Sequence, residues 1–275
     1  MIKKIPFSIL AALSLVCLAI YLFVSAPIPL QDDNKEKNTY SIEEALSVVS
    51  KLNDGARLFY TKHIVGKGLA AGLKFDEDWQ KTHIEAGPLP ALFLRGIASY
   101  IEKTKVPLGL YLGSDFPIVK TNLFEGKQAS EFKKMRRDKK AKFFYDESTQ
   151  RNIAMFPDYA GAGACVSCHN EHENSPKNNW KLNDMMGATT WSYPKDSVST
   201  DELLDMIKVY KEGVSDIYNA YLTEINGFKR TSRPSIGDWP SNGYYMPSNS
   251  MFMDTFKILT AENLLADILN KRNEK

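Results

Sequence analysis

Cysteine is scarce in this chain: only three occur among 275 residues. That excludes a disulfide-stapled scaffold, which needs several pairs to replace a core. Net charge is also nearly absent, with 35 Lys and Arg against 33 Asp and Glu and a formal charge of +2. So small an excess excludes the broad basic surface of a nucleic-acid binder, and no base-reading motif is present. Histidine is rarer than chance reading of a metal centre would want: there are four, and no second Cys/His pair lies downstream of the first. After residue 24 no apolar run is long enough to span a bilayer, and no kinase signature or cyclase domain follows. What remains is 43% hydrophobic and 25% charged, ordinary for one large or two small globular domains.

Two of the three cysteines stand together, in Cys165-Val166-Ser167-Cys168-His169. A Cys-x-x-Cys-His run is the attachment signature of c-type haem, in which both thiols become thioethers to the porphyrin vinyl groups and the histidine coordinates iron. Two intervening residues make about one helical turn, so both sulfurs reach neighbouring pyrrole edges while the next imidazole is held against the metal. Three other readings compete. A dithiol redox site shares the Cys-x-x-Cys but wants a βαβ context, which this sequence lacks. A zinc site could add His169 and His172 to the two thiolates, yet four ligands within eight residues strain a tetrahedral shell. A plain buried or disulfide-bonded pair leaves the following histidine unexplained. One covalent haem c is therefore the leading reading and zinc the next.

Ahead of this region, Ile5 to Val24 is uncharged and follows Lys3 and Lys4. About twenty apolar residues suffice to cross a bilayer as a helix. Val24-Ser25-Ala26 has the small residues of a processing site, but Pro27 opposes cleavage, so an uncleaved anchor over residues 1–26 is expected. The leading lysines place the amino terminus in the cytoplasm, although Lys35 and Lys37 make the bias modest. The rest of the chain is then expected in the periplasm of a bacterium, held to the inner membrane by a single pass. Cys17 falls inside the segment and is read as a residue that simply packs there. No small residue stands where a lipidated cysteine would need one.

Residues 27–40 hold Pro27, Pro29 and mixed charges and read as a linker. Ser41 and Glu44 form a capping box, and Ile42, Ala45, Leu46, Val49, Leu52, Ala56 and Phe59 recur at helical spacing. Gly66, Gly68 and Gly72 are expected to break that helix, and Asp76 to His83 reads as a loop. Pro88-Leu89-Pro90 opens a second helix carrying Leu92, Phe93, Ile97, Tyr100 and Ile101. Leu108–Leu112 and Phe116–Val119 read as strands around a Gly113-Ser114-Asp115 turn. Residues 126–142 carry Lys133, Lys134, Arg136, Arg137, Lys139, Lys140 and Lys142, a solvated helix face or, alternatively, a face for an anionic membrane surface. Lys142–Tyr145 and Asn152–Phe156 read as a hairpin. Trp180 to Trp191 holds a closing strand, Thr200–Asn226 a helix, residues 233–250 a Pro/Gly-rich loop and Thr260–Asn270 a final amphipathic helix.

With these segments placed, a resemblance emerges. Pro88-Leu89-Pro90-Ala91, Ser114-Asp115-Phe116-Pro117, the aromatic hairpin, Ala164 to Asn170 around the motif and Ser175 to Leu182 resemble the extracytoplasmic c-type haem-binding sensor domains with a PAS-like fold. The resemblance covers about residues 41–193. It implies an α+β class: a PAS-like antiparallel sheet flanked by helices, with a long amino-terminal helix alongside, preceded here by one transmembrane helix. Residues 194–275 would form a helical extension. Some relatives also bind iron through a cysteine outside the motif, and this chain has none in its soluble part.

The sixth iron ligand is therefore open among His63, His83, Met155, Met185 and Met186, with the two histidines ahead of the methionines. Without one, the iron would be five-coordinate and open to a diatomic gas. His172 is too close to His169 to reach the opposite haem face and reads as a rim contact. The functional expectation is a redox or gas sensor acting through a partner protein, with a monohaem electron-transfer cytochrome as the alternative. No residue pair argues for a haem enzyme such as a peroxidase, which needs a distal base.

Overall fold

A computed structural model describes residues 15–18, 21, 39–237 and 245–273, with side chains at 245 and 262–273 excepted. The chain divides into a unit of residues 1–38 and a compact unit of residues 39–275. Residues 15–18 and 21 are helical. The remainder of the expected anchor and all but residues 39 and 40 of the linker lie outside the described residues. Among the described residues, no helix is long and apolar enough to cross a membrane.

Strand β1 (Thr39–Ser41) leads into helix α1 (Ile42–Phe59). The start of α1 is a complete capping box: the Ser41 amide donates to Glu44 Oε2 at 3.0 Å and the Glu44 amide to Ser41 Oγ at 3.3 Å. Each satisfies a backbone or side-chain group that a helix start leaves open. The expected break at Gly66 and Gly68 does not occur. A π-helical turn (Tyr60–Gly66) and a short helix α2 (Lys67–Ala70) prolong the rod, which stops at Gly72 with φ +90°. A glycine costs a helix only about 1 kcal/mol, and buried anchors offset it: Tyr60 stacks on Phe93 with centroids 4.0 Å apart and its hydroxyl donates to the Pro88 carbonyl at 2.7 Å.

Asp76–His83 is mostly turn, but Phe75–Asp76 (β2) pairs in parallel with Gly87–Pro88 (β3). Helix α3 (Pro90–Glu102) follows, then β4 (Gly109–Gly113), α4 (Gly126–Asp138), β5 (Lys142–Asp146), β6 (Arg151–Tyr159), α5 (Gly163–Glu171), β7 (Met185–Tyr193) and β8 (Ser197–Ser199). The main sheet has four antiparallel strands in the order β4-β7-β6-β5. Phe116–Val119 is not a strand, contrary to expectation. Pro117 supplies no amide for a ladder, and the Phe116 amide donates instead to Ser114 Oγ at 3.0 Å. The segment folds back through a 3-10 turn at Lys120–Asn122.

Helices α6 (Thr200–Gly227) and α7 (Asn249–Asn273) complete the unit. The last helix begins eleven residues before the expected Thr260, inside what reads as loop; Phe252 and Phe256 are fully buried and give it an anchored first half. Between these helices, β9 (Ser235–Ile236) and β10 (Tyr245–Met246) pair in parallel. One core joins α1, α3, α6 and α7 to one face of the sheet, with Trp191, Tyr210, Tyr218 and Tyr221 among its largest members. A second core on the α4 side holds Phe124, Phe132, Met135, Ile153, Met155, Met185 and Ala188. The architecture is α+β, a small antiparallel sheet between helices.

Candidate functional site

The motif occupies an excursion between the two longest strands. Its base is closed by backbone bonds, Ala160 amide to the Asp184 carbonyl at 2.9 Å and Asn183 amide to the Ala160 carbonyl at 3.0 Å. Helix α5 then places Cys165, Cys168 and His169 at i, i+3 and i+4, which stacks them on one helical face. Not one of the nine α5 residues is buried. A helix this short holds in water only when a face of it is covered. Asn170 supplies part of the support: its Nδ2 donates to the Trp180 carbonyl at 3.0 Å, and the Trp180 amide donates to its Oδ1 at 2.8 Å. Trp180 is itself buried and packs with Ala160 and Met186 against Cys165 and Val166. Lys177 Nζ caps its ring at 3.4 Å.

Charged groups from distant elements gather behind this face. Arg57, in the last turn of α1, is ion-paired with Asp158 at the bulged end of β6. Burial works against the Arg57 charge, but Asp158 more than restores it. Asp54, one turn earlier on α1, has its pKa pushed up to about 6 by desolvation, with Arg57 opposing and Asp158 reinforcing. Asp54 nonetheless remains in part open to solvent. On the other side, His172 Nε2 lies 3.4 Å from Glu77 Oε1 in the turn after β2.

His169 is half-buried. Burial lowers its pKa, Asp158 opposes, and His172 adds to the lowering. The result favours the neutral imidazole, the form that ligates a metal. Its Nδ1 is buried without a hydrogen-bond partner, as is the indole nitrogen of Trp180. Buried polar atoms in folded proteins are nearly always satisfied, so the face around His169 is short of a partner. Cys165 and Cys168 are free thiols and form no disulfide. Burial, then Glu77, raises the Cys168 pKa, the opposite of what a thiolate-driven dithiol site requires. Among the described residues, no group of three or more His, Cys, Asp or Glu side chains is arranged to hold a metal ion. The residues present fit haem: two unpaired thiols and an imidazole held towards its neutral form, together on one helical face that buries none of them fully.

The expected sixth ligands are dispersed. His63 sits in the π-helical turn with its ring 5.5 Å from that of Phe59. His83 is exposed in the turn before Ile84. Met155 and Met185 are locked in the α4-side core, whereas Met186 shares a cluster with Cys165. Arg57, Asp54, Asp158 and Glu77 carry no sequence signal, because the contacts that make them relevant span about a hundred positions.

The chain belongs to the Tll0287-like family, whose model matches residues 31–194, a family known as a haem-binding sensor-like domain. No curated protein and no solved structure matches it significantly.

Proposed function

We propose that this is a membrane-anchored periplasmic protein carrying one covalent haem c, which senses redox state or a diatomic gas and passes the signal to a partner protein. The observation that carries it is the shared face of α5, where Cys165, Cys168 and His169 stand together with no residue of the helix buried. When bound, haem supplies an iron whose oxidation state and axial ligation can change. The chain's own residues do the rest. Cys165 and Cys168 tether, His169 ligates, and the Asn170–Trp180 clasp fixes the helix that carries them. The Arg57–Asp158 pair joins the strand end beside His169 to α1, the rod that follows the linker in sequence. A change in charge at the site would thus be felt first along α1. The sheet order, with its first strand against its last, is compatible with a PAS-like arrangement one strand short. No catalytic role is proposed.

Exposure of Cys168 favours one second reading, a monohaem electron-transfer cytochrome whose cofactor edge meets a redox partner. An iron with an unchanged ligand set on reduction supports transfer. Loss of a ligand, or binding of carbon monoxide or nitric oxide, supports sensing. The founding test is expression with a cytochrome c maturation system, followed by the mass of the denatured chain and a haem spectrum. A colourless product of unmodified mass would overturn both readings.

A further inference from the structure

The segment Ser114–Leu123, within which Phe116–Val119 reads as a strand, instead forms a braced loop beside α4. Its ends are tied by Ser114 amide to the Asn122 carbonyl at 2.9 Å and Phe124 amide to the Ser114 carbonyl at 3.0 Å. The Tyr111 hydroxyl donates to the Thr121 carbonyl at 3.0 Å. So fixed a loop would be expected to turn its apolar residues inward, yet Phe116, Val119 and Leu123 are 38%, 41% and 44% exposed. Lys120 is exposed between them.

The flank of α4 that adjoins the loop is cationic. Arg136 marks that flank, because it pairs with Asp115 at 2.6 Å and stands 5.9 Å over the Phe116 ring. At about 3.6 residues per turn, Lys133 and Arg137 follow Arg136 around the same side. The acids of the helix fall on the other side. Glu131 pairs with Lys134, Asp138 pairs with Lys142, and Lys127 reaches the Tyr145 carbonyl on β5. Lys133 and Arg137 are exposed and form no ion pair among the described contacts.

We infer that the loop 114–123 and the adjoining flank of α4 form a docking surface for an anionic phospholipid bilayer. Three partly exposed apolar side chains beside Lys120, Lys133 and Arg137 match the layering of a membrane interface, hydrocarbon beneath a plane of phosphates. An acidic protein would have to place an apolar patch at this spacing beside its carboxylates, whereas a bilayer offers hydrocarbon beneath phosphate at every point. The surface is independent of the haem reading, although it touches the same region. The Phe116 ring lies 6.2 Å from that of Trp180, which Asn170 clasps next to His169.

The test is hydrogen exchange of the full chain in nanodiscs of phosphatidylcholine alone or with phosphatidylglycerol. Backbone amides of residues 116–123 should exchange several-fold more slowly on the anionic discs only. Neutralising Lys133→Gln and Arg137→Gln should remove that protection by roughly fivefold per cation, while α1 amides stay protected and report intact folding. Val119→Asp should abolish it without touching the cations. Equal exchange on both compositions overturns the proposal. So does equal protection by soluble polyglutamate without lipid, which would mark an acidic protein partner instead.

Discussion

Asn170 and Trp180 hold each other through two opposed hydrogen bonds, side-chain amide to carbonyl at 3.0 Å and backbone amide to side-chain oxygen at 2.8 Å. The nine mostly polar residues between them are closed into a loop by this one side chain. Because α5 buries none of its own residues, the clasp is a main support of the motif helix. Asn170→Ala should lower stability by about 1 to 3 kcal/mol, the cost of two hydrogen bonds. Thermal unfolding of the apo-chain checks this, and an unchanged midpoint would show that the helix is held elsewhere.

The Arg57–Asp158 pair is only partly shielded, with side chains 28% and 21% exposed. Its loss in Arg57→Leu should therefore cost about 1 to 2 kcal/mol, between an exposed and a closed pair. Asp158 also raises the His169 pKa against the lowering by burial. Asp158→Asn should accordingly move the His169 titration to lower pH, read by nuclear magnetic resonance of the apo-chain.

Asp54 gives a pH signature of opposite sign to the usual carboxylate. Its pKa rises on folding from 3.8 to about 6, so between these values the folded chain holds the proton that the unfolded chain has lost. Its contribution to stability is thus full below about pH 4 and is withdrawn as pH rises towards 6. Asp54→Asn should raise the unfolding midpoint at pH 7 and leave it unchanged at pH 3.5. A stabilisation of equal size at both would refute the assignment.

Substitutions in the motif should grade. His169→Ala should abolish proper iron ligation, whereas Cys165→Ala should keep one thioether and weaken attachment. Denatured mass and the absorbance spectrum separate the two, and an unaltered spectrum in His169→Ala contradicts the ligand role.

His63, His83 and Met186 are distinguished by spin state. Replacing the true sixth ligand shifts the iron towards high spin, and replacing the others does not. No shift in any of the three leaves a five-coordinate iron, which carbon monoxide binding would then register.

Much of the scaffold was legible because it is written locally. The Ser41–Glu44 box, the apolar spacing along α1 and α6 and the β-prone runs of the β5–β6 hairpin each lie within a few turns of chain, and the structure builds them close to where they are read. Phe116–Val119 misleads because its β-prone composition is overruled by Pro117 and by Asp115 pairing with Arg136. Gly66 and Gly68 mislead in the other direction, since tertiary anchors at Tyr60 and Ile64 outweigh a modest propensity cost. At the site, Cys165, Cys168 and His169 announce themselves by spacing. Arg57 and Asp158 do not, being ordinary charges until the fold places them together across 101 positions.

The backbone bonds between Ala160, Asn183 and Asp184 sew the neck of the excursion shut before the motif begins. Residues 161–182 thus leave and rejoin the sheet at a single point, so a change made at either thiol lies outside the strand ladder itself.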